Sequence, residues 1–250
     1  MGKPAFLYRT YLPTATALAT DSHAGTSPGD VLGSTEDVFW RPLNTAGEKI
    51  LTFNFDEALN INGVGIVGAG LDGVTITVEG SADAAFTTPI ALATGINLDG
   101  AVNAAWTPWA GAPYQHVRIK FTTFGDDFRV AHVIFPFYSD APFLEEDWTP
   151  DRIDETGKVL ESAGGLFLGA NQIKTMRKLP LNFGDVDSVE FAILRDWAKN
   201  CIETLNPFVF VPDVDETQCF YGWLDKPSFS APFVNGMYHI EALTMRTRAK

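Results

Sequence analysis

The chain has 250 residues, 46% of them apolar and 20% charged, with a formal charge of −13. That supplies apolar material for one large or two modest cores, and the acidic balance opposes a phosphate backbone, so nucleic acid is excluded as a partner. No apolar run approaches the roughly 20 residues of a membrane helix, and no membrane insertion is expected. The opening Met1-Gly2-Lys3-Pro4-Ala5-Phe6 lacks the long apolar core of a secretion signal. The protein is therefore expected to be made in the cytoplasm and kept there, or built into a particle there.

In chain order, Ala5-Phe6-Leu7-Tyr8 reads as a short strand. Residues 13–37, rich in Thr, Ala, Ser, Gly and Asp, read as a loop-rich lead-in. Trp40 follows, expected as a core plug rather than a stacking platform for a ligand. Leu51, Phe53 and Phe55 alternate with polar residues, as do Val74, Ile76 and Val78. A period of two marks strands that bury one face. Between them, Gly63-Val64-Gly65-Ile66-Val67-Gly68 is followed by a strand pattern rather than a helix. Its glycines are read as close backbone packing, not as a phosphate loop. Ala82 to Gly111 reads as loop-heavy, Tyr114 to Phe121 returns to alternation, and Arg129 to Phe137 is a dense apolar run. The dense run is expected to be the last strand of the sandwich, buried on both sides or at a domain junction. Short strands at this spacing predict a β-sandwich over residues 1–138.

Composition shifts after Tyr138. Residues 139–159, with Glu145-Glu146-Asp147 and Asp151 to Glu155, read as an acidic linker or arm. Residues 160–250 read as an α+β module, one amphipathic helix on an antiparallel sheet. Asp187-Ser188-Val189-Glu190 has the form of a capping box. Phe191, Leu194, Trp197, Ala198 and Cys201 then recur at three- and four-residue steps, one apolar stripe. The fold class expected is thus mainly β, with a jelly-roll sandwich followed by the α+β module.

The chemistry-bearing residues form no catalytic pattern. His23, His116, His132 and His239 show no zinc spacing. Asp126-Asp127 at a turn lacks the twelve-residue calcium-loop pattern and reads as a solvated turn. The acid runs read as solvated faces rather than the paired carboxylates of a glycosidase, and no nucleophile elbow or dinucleotide fingerprint is present. No enzyme activity, metal or cofactor is expected. Cys201 and Cys219 are compatible with a disulfide or with two buried thiols. Trp106, Trp109 and Tyr114 cluster in a segment with Pro108 and Pro113. Exposed, they would grip sugar faces or dock a subunit; buried, they are packing. Trp148, Phe208, Phe210, Phe220, Tyr221, Trp223, Phe229 and Phe233 hold more apolar surface than a small module buries alone, so they are expected at a protein interface.

Residues 5–137 resemble the discoidin-like, galactose-binding-type sandwich near the start of many minor tail proteins of long-tailed bacteriophages. The residues that carry the resemblance are Ala5-Phe6-Leu7-Tyr8-Arg9, Trp40 after its lead-in, Leu51-Thr52-Phe53-Asn54-Phe55, Val64-Gly65-Ile66-Val67-Gly68-Ala69-Gly70-Leu71 and Val74-Thr75-Ile76-Thr77-Val78-Glu79-Gly80-Ser81. Phe208-Val209-Phe210-Val211, Cys219 to Leu224 and Gly236 to Leu243 look like a tail module too. The resemblance implies a structural virion protein of the tail tip, assembled in the host cytoplasm. Its partners would be tail-tube, hub or distal tail components, bound in a homo-oligomeric ring through residues 160–250 with the sandwich facing outward. The alternative is a carbohydrate-binding module that adsorbs to host surface glycan.

Overall fold

A computed structural model describes residues 4–8, 15–33, 37–98, 104–135, 153–161, 167–202, 206–213, 218–224, 229–240 and 243–248. The first part of the chain forms β1 (Ala5–Leu7), β2 (Ala15–Ala19), β3 (Lys49–Ala69), β4 (Thr75–Ser81), β5 (Ile90–Asn97), β6 (Ala104–Thr122) and β7 (Arg129–Ile134). The second forms β8 (Ile153–Glu161), β9 (Phe167–Leu181), β10 (Asp185–Val186), α1 (Ser188–Ile202), β11 (Phe208–Val211), β12 (Phe220–Leu224), β13 (Phe233–Val234), β14 (Met237–His239) and β15 (Leu243–Arg248). The described chain is mainly antiparallel β, with a β-sandwich and one α-helix.

The sandwich is made by two long strands that serve both of its layers. The first half of β3, Lys49–Asn54, pairs with Phe121–His116 of β6; the second half, Gly63–Val67, pairs with Pro108–Ala104. Register shifts separate the two halves, and such bulges bend strands from one layer into another. The outer layer is therefore β2, the first half of β3, the second half of β6, β4 and β5. The inner layer is the first half of β6, the second half of β3 and β7. Phe53, Ile76 and Ile119 of the outer layer share a core with Val64, Ile66 and Val133 of the inner one. Pro108 and Pro113 sit opposite Gly63 and Asn60, flanking the bulges, where a missing N–H is tolerated.

Trp40 is the expected core plug. It is fully buried, bridges to Val130, and its indole N–H donates to the Asp21 carbonyl at 3.0 Å and to Ser22 Oγ at 3.1 Å. The glycines of β3 act as expected. A Cβ on Gly63 would meet the Trp106 ring at 2.5 Å, and one on Gly65 would press on Leu7 at 3.1 Å.

The second sheet runs in the order β1-β11-β12-β15-β9-β8, and a small sheet runs β10-β14-β13. The helix signal is borne out. Asp187 Oδ1 accepts from the backbone of Val189 and Glu190 at 2.8 and 2.9 Å, and the Asp187 N–H donates back to Glu190 at 3.3 Å. Leu194, Trp197, Ala198 and Cys201 are buried against Phe208, Phe210 and Phe220. Cys201 and Cys219 are both buried thiols and form no disulfide.

A third buried cluster joins the two parts. Along β11, Phe208 and Phe210 face the helix, while Val209 and Val211 face the sandwich. β1 does the same: Phe6 stacks on Trp197 at 4.1 Å, and Ala5 and Leu7 turn the other way. Their partners across the seam are Val67, Ala104, Trp106 and Ile134 of the inner layer. The molecule is thus a stack of outer layer, inner layer, second sheet and helix, with a core in each gap.

Several expectations are corrected here. The strand Ala5–Leu7, expected within the 1–138 sandwich, pairs instead with β11. Part of the lead-in is the strand β2, whose inward alanines at 15, 17 and 19 are too small to show a strand pattern. The loop-heavy 82–111 contains β5 and the start of β6, so Trp106 and Trp109 stand on a strand. Within the expected linker 139–159, Ile153 onward is strand paired to β9; the part before it lies outside the described residues. The dense run at 129–134 does lie at a junction, with Val130 and Val133 in the sandwich core and Ile134 in the seam.

Two substitutions weigh the first and third cores separately. Trp40→Ala is expected to lose about 3–5 kcal/mol and Leu7→Ala about 2–5 kcal/mol in urea unfolding. Full stability of Leu7→Ala would mean that the seam does not hold the two sheets together.

Candidate functional site

The sequence-chosen aromatics are not an exposed platform. Trp106 is 3% exposed and lies in the seam, its ring covering Gly63. Tyr114 is buried in the sandwich core beside Gly80. Trp109 is half-buried, and its indole N–H donates to the Ile61 carbonyl at 2.9 Å. The three are not brought together with open ring faces, so they do not build a sugar site.

The expected interface residues are mostly internal as well. Phe208, Phe210 and Phe220 are fully buried under the helix, Tyr221 lies in the seam, and Phe229 and Trp223 are half-buried. The three phenylalanines thus pack against the chain's own helix, and Tyr221 against its sandwich. Phe233 alone of this set is open, at 63% exposure. Trp148 lies outside the described residues.

The outward face of the outer layer carries a different constellation. Inward residues of β3, β4 and β6 fill the core, so the alternate positions must face water. Pairing aligns them in rows across the layer. Leu18 stands opposite Thr52, Thr52 opposite Arg118, and Arg118 opposite Glu79. In the next row, Thr16 stands opposite Asn54, Asn54 opposite His116, and His116 opposite Ser81. The segment Ala84-Ala85-Phe86 after β4 rises over this face and walls an open groove of about 320 Å³, floored by Thr52, Asn54 and Arg118.

The wall is rigidly made. Asp83 accepts from the Thr87 hydroxyl at 2.8 Å, the Ser81 hydroxyl at 3.2 Å and the backbone N–H groups of Ala85 and Thr87 at 3.0 and 3.3 Å. These bonds, led by the Thr87 hydroxyl, hold its carboxyl below the ordinary range against the small effect of desolvation. They pin Phe86 at φ 52°, a left-handed conformation that costs a bulky residue energy. In that pose its ring lies under the Arg118 guanidinium, 4.4 Å from centroid to carbon, with the His116 ring edge-on at 6.5 Å.

The floor is polar and mutually oriented. His116 Nδ1 and Asn54 Oδ1 are 2.7 Å apart. Glu79 accepts from Arg118 Nε at 2.5 Å and from Lys120 Nζ at 2.8 Å. Burial works to raise the Glu79 pKa, but the hydrogen bonds from Lys120 and Arg118 outweigh it and hold the carboxyl below its usual range. Sequence reasoning missed this site because it sought clustered motifs. The available signal was the polar half of the alternation itself, Thr52/Asn54, His116/Arg118/Lys120 and Thr77/Glu79, whose inward half had been read as core.

Among the described residues, no three His, Cys, Asp or Glu side chains converge on a metal position, and no helix is long and apolar enough to cross a membrane. A smaller recess of about 50 Å³ lies beside Asp126, whose carbonyl accepts from Arg41 at 2.8 Å.

No family model matches the sequence, and no curated protein matches it. Similar solved structures exist. One is a Clostridium perfringens module in complex with GalNAc-β-1,3-galactose, 15% identical, with a TM-score of 0.45 over 52% of this chain and 100% of that one. Another is chitosan-binding module 1 from a Paenibacillus chitosanase/glucanase, 16% identical, TM-score 0.46, over 51% of this chain and 99% of that one. A third is the family 32 module of Clostridium perfringens NanJ in complex with galactose, 12% identical, TM-score 0.42, over 54% of this chain and 99% of that one.

The Glu79 geometry fixes a pH dependence. A carboxyl whose folded pKa is depressed contributes stability above its unfolded value, near 4.5, and loses it as pH falls through the folded value. Glu79→Gln is therefore expected to lower the melting temperature at pH 7, with the difference from the parent protein narrowing as the pH is lowered through the acid range below 4.5. A difference that stays constant throughout that range would contradict the pairing.

Proposed function

We propose that this chain is a non-enzymatic glycan-binding module, and that its sugar site is the groove on the outer layer. The observation that supports this reading is the groove itself. It is open, of a size at the lower end of the roughly 300–1,000 Å³ of small-ligand sites. It sets Arg118, Asn54, Thr52 and Thr20 beside the apolar Leu18, Ile50 and Phe86. Sugars present hydroxyls around an apolar ring face, and a shallow trough with both kinds of contact suits them. The alternatives are poorer fits. A duplex phosphate backbone meets a chain of charge −13, and no described convergence of acids or histidines offers a metal for hydrolysis.

The expected place in a phage tail tip, docked to other tail components, is kept as a second reading because of one observation. The hairpin β13–β14 turns at Asn235 and Gly236, at φ 52° and 84°, which are the left-handed pair of a tight two-residue hairpin. It carries the exposed side chains Phe233, Val234 and Met237 at its tip. An apolar tip of this kind suits a protein contact. Under this reading the protein assembles, and Phe233→Ser with Met237→Ser keeps it monomeric in sedimentation velocity. A parent protein that is itself monomeric throughout removes the ring.

The groove is tested by filling it. Thr52 sits at its centre, half-exposed on a solvent face. Thr52→Trp is expected to keep the melting temperature within a few degrees and to abolish retention on a glycan array. Undiminished glycan binding by folded Thr52→Trp would overturn the assignment of the groove.

A further inference from the structure

We infer that the groove selects sugars that carry a carboxylate, and that Arg118 is the residue that takes it; this rests on the glycan-binding reading of the same groove. The charges on the floor do not balance. Glu79 is one carboxylate facing two cations, with Lys120 on Oε1 and Arg118 on Oε2. Glu79 and Lys120 both stand outside the lining of the groove, whereas Arg118 is part of it. Arg118 is thus the one charged side chain among the residues that line the groove, with the Asp83 carboxylate tied up by hydrogen bonds to the wall segment and Glu79 on Arg118 Nε.

Arg118 is also oriented for an anion. Its Nε–H is committed to Glu79 at 2.5 Å, and one face of its guanidinium is covered by Phe86 at 4.4 Å. A guanidinium carries five N–H donors, so four remain on the two terminal nitrogens. The bond to Glu79 and the stacking on Phe86 fix the plane in which those donors lie. Such a fork offers two parallel bonds to a planar oxyanion. A sugar hydroxyl accepts a single bond from it, while a carboxylate accepts two, each roughly twice as strong as a neutral bond.

Asn54 extends the site. Its Oδ1 lies 2.7 Å from His116 Nδ1, and the residue lines the groove floor. Thr52 and Thr20 offer hydroxyls that accept or donate. The expected ligand is thus an acidic sugar: the carboxylate on Arg118, ring hydroxyls on Asn54, Thr52 and Thr20, and the apolar ring face against the exposed Leu18 and Ala85.

The test uses the full chain and four probes: galacturonic acid trisaccharide, its methyl ester, 3′-sialyllactose and lactose. Binding is followed by amide and arginine Nε–H chemical shifts. At least one carboxylated probe is expected to shift Arg118 Nε–H together with Thr52 and Asn54, and to bind ten-fold or more tightly than its uncharged counterpart. Arg118→Gln should reduce its affinity to that of the counterpart. The ester and acid comparison needs no variant, so it decides the matter even if Arg118→Gln misfolds. Equal binding within both pairs, acid with ester and 3′-sialyllactose with lactose, would overturn the carboxylate preference and leave the glycan reading standing. No groove shift with any of the four probes would overturn both.

Discussion

Leu7, Trp106, Ile134, Val209 and Tyr221 meet in one buried cluster between two sheets, and every other layer is placed by it. The inner layer of the sandwich has a core on each side, and so does the sheet of β1, β11 and β12. A strand buried on both faces has no polar phase, which is why Phe208-Val209-Phe210-Val211 is continuous hydrophobe. Close approach is required as well. Gly65 stands where a side chain would press on Leu7, and Gly222 stands where a Cβ would run into the Arg246 carbonyl. The first strand contributes disproportionately. Three residues of β1 supply Phe6 to one core and Ala5 and Leu7 to the next, and Tyr8 beyond them donates to Asp196 of the helix at 2.6 Å. The chain is closed on itself by its own beginning.

Because the inner faces are committed to packing, the outer layer has one face left for binding. There the same strands carry polar residues in register, so rows of functional groups are set by sheet pairing rather than by loops. The cost of holding Phe86 in a left-handed conformation is offset by five hydrogen bonds around Asp83, counting its own carbonyl with Phe86 N at 3.1 Å and its four side-chain contacts. A strained residue placed beside an oriented Arg118 is what a preformed site needs, since the ligand then does not have to order it.

Much of the fold was legible in the sequence where periodicity was strong. The alternation at Leu51–Phe55 and Val74–Val78, the Asp187 cap and the stripe to Cys201 all describe real elements. Reading failed where the signal is carried by small residues or by distance. Ala15–Ala19 is a strand whose inward positions are all alanine and which is recognised by its pairing with β3. The first part of β6, interrupted by Pro108, reads as loop. The partner of Ala5–Leu7 lies about two hundred residues away in β11, and no local pattern encodes it. The aromatics Trp106 and Tyr114 were singled out for their size, yet size is what made them core. The groove was encoded in the polar partners of the core residues, and its wall in Asp83 and Phe86, whose role depends on backbone geometry that composition does not carry.

The measurement that bears most directly on the account is a crystal structure of the protein with a bound oligosaccharide. The account predicts sugar density across Thr52 and Asn54, with an acidic group against the terminal nitrogens of Arg118 and a ring face toward Leu18. Sugar bound elsewhere, with the groove filled only by water, would contradict it.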